Sequence, residues 1–135
     1  MIDCLIVGDS IAYGVSNIRQ ECVAQVKSGI NSQDWNRRFS VIPARTTIIS
    51  LGTNDFAGLN TEAELIRLRE KIVKGTRVYW IVPPIKPMKQ AIVREIAREY
   101  DDTIILISER MLSTDRIHPT YNGYRELAEI TRQDK

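Results

Sequence analysis

Ser10, Asp115 and His118 are the residues whose types and spacing could carry nucleophilic chemistry in this chain. A serine hydroxyl attacks a carbonyl carbon when a neighbouring base takes its proton and an acid orients that base. His118 is the only histidine, and Asp115 precedes it by three residues, close enough for a turn to bring carboxylate and imidazole together. The pattern predicts Ser10 as the nucleophile, His118 as the base and Asp115 as the orienting acid.

Acyl transfer also needs hydrogen-bond donors for the negative charge that develops on the carbonyl oxygen. The backbone N–H of Ser10 lies at the start of a predicted helix, whose positive end favours an anion. Gly29 can offer an unobstructed backbone N–H, and Asn54 a side-chain amide. Each of these residues alone could be an ordinary turn or helix cap, so the prediction of an oxyanion site depends on the whole set.

The elements that would position these residues alternate between apolar strands and amphipathic helices. Strands are predicted at 2–7, 22–26, 46–51, 77–82 and 103–107. Helices are predicted at 11–19, 87–100 and 119–132. Two more helices are predicted, one running through 35–39 after a cap at Asn31 or Ser32, and one from a cap at Thr61 to Gly75. Apolar strands joined by helices indicate a parallel sheet covered on both faces. The sequence therefore predicts an α/β fold: one domain, residues 1–135, built as a three-layer α/β/α sandwich on a five-stranded parallel sheet of flavodoxin-like order 2-1-3-4-5.

In such a sheet, ligands bind at the carboxyl ends of the strands, near the point where the strand order reverses. Ser10, Gly29 and Asn54 follow the first, second and third predicted strands, and the segment from Asp115 to His118 follows the fifth. We therefore expect residues that are distant in sequence to converge on one rim of the sheet.

Composition and charge exclude several other classes of protein. The net charge of +2 is small and basic residues are interspersed with acidic ones, so no nucleic-acid partner is expected. Arg37 and Arg38 are interpreted as part of a solvated helix face. No apolar run approaches the ~20 residues of a membrane span, and Asp3 stands where a signal peptide would be basic. The expected location is cytoplasmic, or outside the cell after release without a signal peptide.

The two cysteines, Cys4 and Cys22, lie in or beside apolar strands, and neither belongs to a Cys-x-x-Cys pair. Metal and redox chemistry therefore have little support. The simpler interpretation is two small core residues in a reduced protein. A disulfide between adjacent strands is the alternative that the sequence leaves open.

Four short segments resemble the sequence blocks of the SGNH hydrolases, the GDSL-like lipase/acylhydrolase family. They are Gly8-Asp9-Ser10-Ile11-Ala12-Tyr13-Gly14, Ser28-Gly29-Ile30-Asn31-Ser32, Gly52-Thr53-Asn54-Asp55 and Asp115-Arg116-Ile117-His118-Pro119. The resemblance assigns the nucleophile to Ser10, the acid and base to Asp115 and His118, and the oxyanion hole to Ser10, Gly29 and Asn54. Two positions depart from the usual pattern: Ile11 replaces a leucine, and Asn31 stands where many relatives carry threonine.

The resemblance implies hydrolysis of a carboxylic ester or thioester through an acyl-serine intermediate, with no metal and no organic cofactor. Short connections after the first three strands leave no segment for a long apolar lid, so we expect an open cleft. Such a cleft suits a short acyl group, most simply acetyl, on a glycan or another acylated small molecule. Tyr13, Trp35, Phe56 and Tyr121 are predicted near the rim, where they could line this cleft.

Three alternatives remain at this stage. A lysophospholipase or thioesterase would use the same triad on a different substrate. A carbohydrate-binding relative that has lost catalysis is disfavoured by the intact set of Ser10, Asn54, Asp115 and His118. A receiver or nucleotide-binding domain of flavodoxin-like order would need an acidic cluster or a glycine-rich phosphate loop, and neither is found in the sequence.

Overall fold

Strands and helices alternate along the chain in a computed structural model that describes residues 1–132. The elements are β1 (Ile2–Gly8), α1 (Ser10–Ile18), β2 (Val23–Val26), α2 (Ser32–Arg38), β3 (Ala44–Ser50), α3 (Thr61–Glu70), β4 (Arg77–Ile81), α4 (Pro87–Glu99), β5 (Thr103–Ile105), a 3₁₀ turn (Glu109–Met111) and α5 (Tyr121–Ile130). None of these helices is long and apolar enough to cross a membrane.

The sheet has the order β2-β1-β3-β4-β5, and every neighbouring pair is parallel. The predicted fold class and strand order are therefore confirmed. The register aligns Gly8, the last residue of β1, with Val26 of β2 and Ser50 of β3. Because these three strands end level with one another, the segments that follow them emerge at the same rim.

Two hydrophobic clusters cover the two faces of the sheet. One contains Trp35 of α2, Leu65 of α3 and Trp80 of β4, and the other contains Tyr79 of β4 and Leu127 of α5. Successive residues of a strand point to opposite faces, which is why Tyr79 and Trp80 belong to different clusters. This division gives the three-layer sandwich that the sequence predicts.

Close packing of α5 against α1 depends on glycine. A Cβ atom at Gly14 would lie 2.2 Å from a ring carbon of Tyr124, and one at Gly123 would lie 2.5 Å from the carbonyl oxygen of Met111. Neither position can carry a larger side chain without displacing α5. The segment that leads into α5 contains Asp115 and His118, so this packing also fixes the position of that segment relative to Ser10.

Several helix ends differ from the predicted ones, for local reasons. Asn60, and not Thr61, caps α3, because its side chain accepts from the Ala63 N–H. That helix ends at Glu70 and does not reach Gly75. Helix α5 starts at Tyr121, where Thr120 is the cap.

Pro119, predicted to begin the last helix, lies before it and pairs with Leu112 in an isolated antiparallel bridge. The hydrogen-bonding requirements of the loop therefore determine where α5 begins.

Cys4 and Cys22 form a disulfide, with 4.9 Å between their Cα atoms. The interpretation of both residues as reduced core cysteines is therefore wrong. The pairing of Leu5 with Val23 places the two preceding residues side by side on β1 and at the entrance to β2. This proximity comes from the register between the strands, which periodicity along one chain does not reveal.

Candidate active site

Ser10 is the first residue of α1 and follows a strand that passes very close to its neighbour. Gly8 has φ +140°, and a Cβ atom there would lie 1.9 Å from the carbonyl oxygen of Ser50, so glycine is required. Asp9 caps the helix, since its side chain accepts from the N–H of Ile11 at 3.0 Å. The turn leaves Ser10 partly exposed at the carboxyl end of β1.

Ser10, His118 and Asp115 form a continuous hydrogen-bonded chain. Ser10 Oγ lies 2.8 Å from His118 Nε2, and His118 Nδ1 lies 2.7 Å from Asp115 Oδ2. The side chains of His118 and Asp115 are 43% and 47% exposed, so this chain of groups lies at an open surface. The arrangement can pass a proton from the serine hydroxyl to the imidazole while the carboxylate holds the imidazole's orientation.

Asp115 also receives three hydrogen bonds on its other carboxylate oxygen, Oδ1. The donors are the Ser113 hydroxyl and the backbone N–H groups of Ile117 and His118, each at 2.9 Å. The hydrogen bond with His118, followed by those from the two backbone N–H groups, holds the pKa of Asp115 well below its usual range. The carboxylate therefore stays ionised, as an orienting acid must.

The loop that carries His118 is closed on itself before α5 begins. The backbone N–H of Ser113 donates to the carbonyl of His118 at 2.8 Å, and the single hydrogen of the Ser113 hydroxyl is shared between that carbonyl and Asp115 Oδ1. The Thr120 N–H donates to the Met111 carbonyl at 2.7 Å. Arg116, at the tip of the loop, has φ +62°. These bonds fix the direction in which the imidazole faces Ser10.

The three predicted oxyanion donors, Ser10, Gly29 and Asn54, follow the carboxyl ends of β1, β2 and β3. Gly29 has φ +79° with nothing within 4 Å of an added Cβ, so its backbone is openly accessible. No hydrogen bond from the Ser10 or Gly29 backbone N–H to another group is found in residues 1–132. Asn54 donates one amide hydrogen to the carbonyl of Ile30 at 3.2 Å and keeps a second.

Asp55 joins the loops that carry Gly29 and Asn54, a role that its place in the third block does not predict. Its buried carboxylate accepts from the N–H and hydroxyl of Ser32 at 2.8 and 2.6 Å and from the Thr61 hydroxyl at 2.7 Å. Lys86 Nζ donates to the Asp55 carbonyl at 3.0 Å. Ser32 and Thr61, the hydroxyl residues that begin α2 and α3, are the sequence features that correspond to this role. Their shared contact with Asp55 is recognisable only when the fold has placed the loops side by side.

Asp9 is a second carboxylate whose surroundings are visible only in the structure. It is fully buried, and its Oδ1 accepts from the Ser50 hydroxyl and the Ile11 N–H, both at 3.0 Å. Its Oδ2 has no hydrogen-bond partner. Burial raises the pKa of Asp9 to about 6, against the lowering effect of the hydrogen bonds from Ser50 and Ile11.

The four aromatic residues predicted to line the cleft do not share one environment. Tyr13, Phe56 and Tyr121 are about half exposed or more, on the segments that follow β1, β3 and the His118 loop. Trp35 is only 1% exposed and donates from Nε1 to the carbonyl of Gln25 at 2.9 Å. The expectation that Trp35 lines the cleft is therefore wrong, because the inner face of α2 is packed onto the sheet.

The residues that the structure describes contain no group of three or more His, Cys, Asp or Glu side chains able to hold a metal ion. The chemistry available at this rim is that of a hydroxyl, an imidazole, a carboxylate and amide N–H groups.

No protein-family model and no curated protein matches the chain, whereas solved structures do. A Bacteroides fragilis protein designated an acylhydrolase superposes with a TM-score of 0.72 at 16% identity, over 97% of this chain and 85% of the other. A GDSL-like lipase from Bacteroides thetaiotaomicron gives 0.69 at 16% identity, over 97% and 86%. A member of the lipolytic G-D-S-L family from Veillonella parvula gives 0.65 at 17% identity, over 99% and 98%.

The chain therefore has the SGNH hydrolase fold of GDSL-like lipases and acylhydrolases. At 16–17% identity, the similarity to these structures shows the fold alone.

Proposed function

We propose that this protein is a serine esterase that hydrolyses short-chain carboxylic esters, with O-acetyl groups on a carbohydrate as its substrates. One observation carries the proposal: Ser10 Oγ, the His118 imidazole and the Asp115 carboxylate form an unbroken hydrogen-bonded chain with contacts of 2.8 and 2.7 Å. The fold shared with GDSL-like lipases and acylhydrolases supports the same reaction class.

Acylation begins with attack of Ser10 Oγ on the ester carbonyl carbon. His118 Nε2 takes the hydroxyl proton as the new C–O bond forms, and Asp115 Oδ2 accepts from Nδ1–H of the resulting imidazolium. The charge that develops on the carbonyl oxygen is met by the free N–H groups of Ser10 and Gly29 and by the second amide hydrogen of Asn54. Collapse of the tetrahedral intermediate expels the alcohol, to which His118 returns the proton.

Deacylation repeats these steps with water as the nucleophile. His118 removes a proton from a water molecule that attacks the acyl-serine, and the same three donors stabilise the second oxyanion. The acid then leaves, and Ser10 recovers its proton from the imidazole. A half-exposed His118 favours this step, because water reaches the imidazole directly.

The preference for a short acyl group follows from the openness of the site. Tyr13, Phe56 and Tyr121 present exposed aromatic surface around the rim and would pack against a sugar ring. Only Asp9 separates β1 from α1, and the loop that bears Asn54 is confined to residues 51–60. A long acyl chain would bury little of its apolar surface at such a site and would gain little binding energy from its length. An acetyl group has little apolar surface to bury, so an open site does not disfavour it.

Replacing Ser10 with alanine tests the proposed reaction. The Ser10→Ala variant should lose hydrolysis of p-nitrophenyl acetate and of an acetylated glycan while its circular dichroism spectrum stays unchanged. Ser16→Ala is the matched control, because Ser16 lies on the same helix and its hydroxyl bonds only to the Tyr13 carbonyl. Turnover by Ser10→Ala at the wild-type rate would exclude Ser10 as the nucleophile. A wild-type protein that binds acetylated glycan without turnover would instead identify a carbohydrate-binding relative.

A further inference from the structure

A cavity of about 420 Å³ borders the proposed oxyanion site on the side of α2. Gly29 contributes to its lining, together with Lys27 from the end of β2 and Arg37 and Arg38 from the last turn of α2. Because the free N–H of Gly29 is one of the proposed oxyanion donors, the cavity and the proposed oxyanion site share this residue.

The charge of this cavity is positive and only partly neutralised. Asp34 is the one carboxylate in the lining, and it lies 3.9 Å from Arg37. Lys27 and Arg38 make no ion pair with any of residues 1–132. Two cationic side chains therefore line the cavity with no anionic partner in the described part of the chain.

Helix stability accounts for only part of this arrangement. Basic residues in the last turn of a helix interact favourably with its negative end, which explains the presence of Arg37 and Arg38 in α2. Lys27 belongs to a different segment and gains nothing from that helix. Its convergence with Arg38 on a cavity next to Gly29 calls for a ligand that carries negative charge.

We propose that this cavity binds an anionic group, a carboxylate or a phosphate, of the ester substrate. This inference rests on the proposed esterase function and narrows its substrate class. An arginine guanidinium can hold either oxyanion through two parallel hydrogen bonds, and a lysine ammonium adds a point charge. The esters preferred by the enzyme are then acidic ones, such as an acetylated uronic acid, an acetylated sugar phosphate or a dicarboxylic acid half-ester.

Matched substrate pairs test the charge preference and identify its source. The acyl-side pair is the p-nitrophenyl monoester of glutaric acid and its primary amide. The alcohol-side pairs are an O-acetyl galacturonoside with its uronamide, and 3-O-acetylglucose 6-phosphate with 3-O-acetylglucose. At low ionic strength, kcat/KM for the anionic member of at least one pair should exceed that of the neutral member by about tenfold, and added salt should reduce the difference.

The double variant Lys27→Gln/Arg38→Gln should remove this preference and leave hydrolysis of the neutral members unchanged. Lys71→Gln/Lys74→Gln is the control, since it removes the same charge from the turn between α3 and β4, at the opposite end of the sheet. Equal rates within all three pairs would overturn the proposal, as would a preference that survives in the Lys27/Arg38 variant.

The outcome is distinguishable from failure of the esterase proposal itself. Hydrolysis of the neutral esters and its loss in Ser10→Ala test the esterase, independently of the charge preference. If no ester is turned over, calorimetric titration of galacturonate, glutarate and inorganic phosphate into wild-type protein and the Lys27/Arg38 variant gives the answer. Binding that requires the two cations supports an anion site, and the absence of such a difference refutes it.

Discussion

Asn54 has two hydrogen atoms on its side-chain amide, and the structure commits only one of them. The bond to the Ile30 carbonyl docks the loop after β3 against the segment that follows Gly29. The same residue therefore both orders the rim and leaves a donor for the proposed oxyanion.

Asn54→Ala should lower kcat by roughly 10²–10³ and leave KM nearly unchanged, because an oxyanion contact strengthens only in the transition state. Steady-state kinetics with p-nitrophenyl acetate give both constants. Loss of the bond to Ile30 should also lower the free energy of unfolding by about 1 kcal/mol. An increase in KM at constant kcat would reduce Asn54 to a substrate-positioning residue.

Asp9 adjoins the nucleophile but faces the interior. Its Oδ2 lacks a hydrogen-bond partner among residues 1–132, and burial raises the pKa of its carboxyl to about 6 from the ordinary value of 3.8. A carboxyl with a raised folded-state pKa favours folding in its protonated form. Its stabilising contribution is therefore complete below the unfolded pKa and is lost as pH rises through about 6.

The free energy of unfolding should consequently contain a component that falls by about 1 to 2 kcal/mol between pH 5 and pH 8. Asp9→Asn should abolish this component, because asparagine keeps an acceptor for Ile11 and Ser50 and does not ionise. Urea denaturation of both proteins across this pH range measures it. Parallel pH profiles for the two proteins would show that Asp9 is ionised in the native state across this range, so that its pKa is not raised.

At the scale of the elements, β2 is an edge strand that is stabilised mainly by its attachment to β1. It has four residues, lies at the edge of the sheet and has no fully buried side chain. The Cys4–Cys22 disulfide attaches the start of β2 to the neighbouring strand β1. Lys27 and Gly29 follow the other end of β2, so the disulfide acts on their loop only by holding β2 against β1.

Removing the disulfide should lower the free energy of unfolding by about 3 kcal/mol, the value expected for a loop of this length. Urea denaturation with and without dithiothreitol measures the effect. The Cys4→Ala/Cys22→Ala variant is the control, since reductant should not change its stability. Equal stability of the wild-type protein in both conditions would mean that the cross-link contributes nothing.

The strands were the elements most accessible from sequence. Near-continuous apolar runs predicted β1, β3 and β4 to within two residues at each end, because strands covered on both faces have few polar positions. The disulfide and the start of α5 were predicted wrongly, since both depend on contacts between segments. Trp35 was misplaced because its position near Gly29 in sequence does not reveal which face of α2 is buried.

In the candidate site, too, some features could be predicted from the sequence and others depend on contacts between segments. The sequence predicted the residues that converge on one rim, because their order follows the strand ends. It did not predict how Asp55 and Asp9 are used, since Ser32, Thr61 and Ser50 lie 6 to 41 residues away from the carboxylates they bind. Hydrogen-bond partners of this kind become visible only when the parallel sheet has brought the loops together.

At the scale of the whole molecule, the rim is an open surface. The side chains of His118 and Asp115 are nearly half exposed, and Phe56 and Tyr121 have more than half of their surface in contact with solvent. The connections that follow β1 and β2 enter helices within a few residues, so neither forms a cover over Ser10.

This openness predicts how rate depends on the length of the acyl chain. Each additional methylene stabilises a bound ester by about 0.8 kcal/mol only when it is buried, and the strand-end loops around Ser10 offer no long apolar channel. For p-nitrophenyl esters, kcat/KM should be highest for acetyl and propionyl groups and decline towards octanoyl, measured below the concentration at which the longer esters form micelles. The Tyr121→Ala variant tests the contribution of the exposed aromatic rings, since loss of this ring should weaken binding of an acetylated glycan more than binding of p-nitrophenyl acetate. A steady increase of kcat/KM with acyl length would contradict the carbohydrate esterase proposal and favour a lysophospholipase or thioesterase with the same triad.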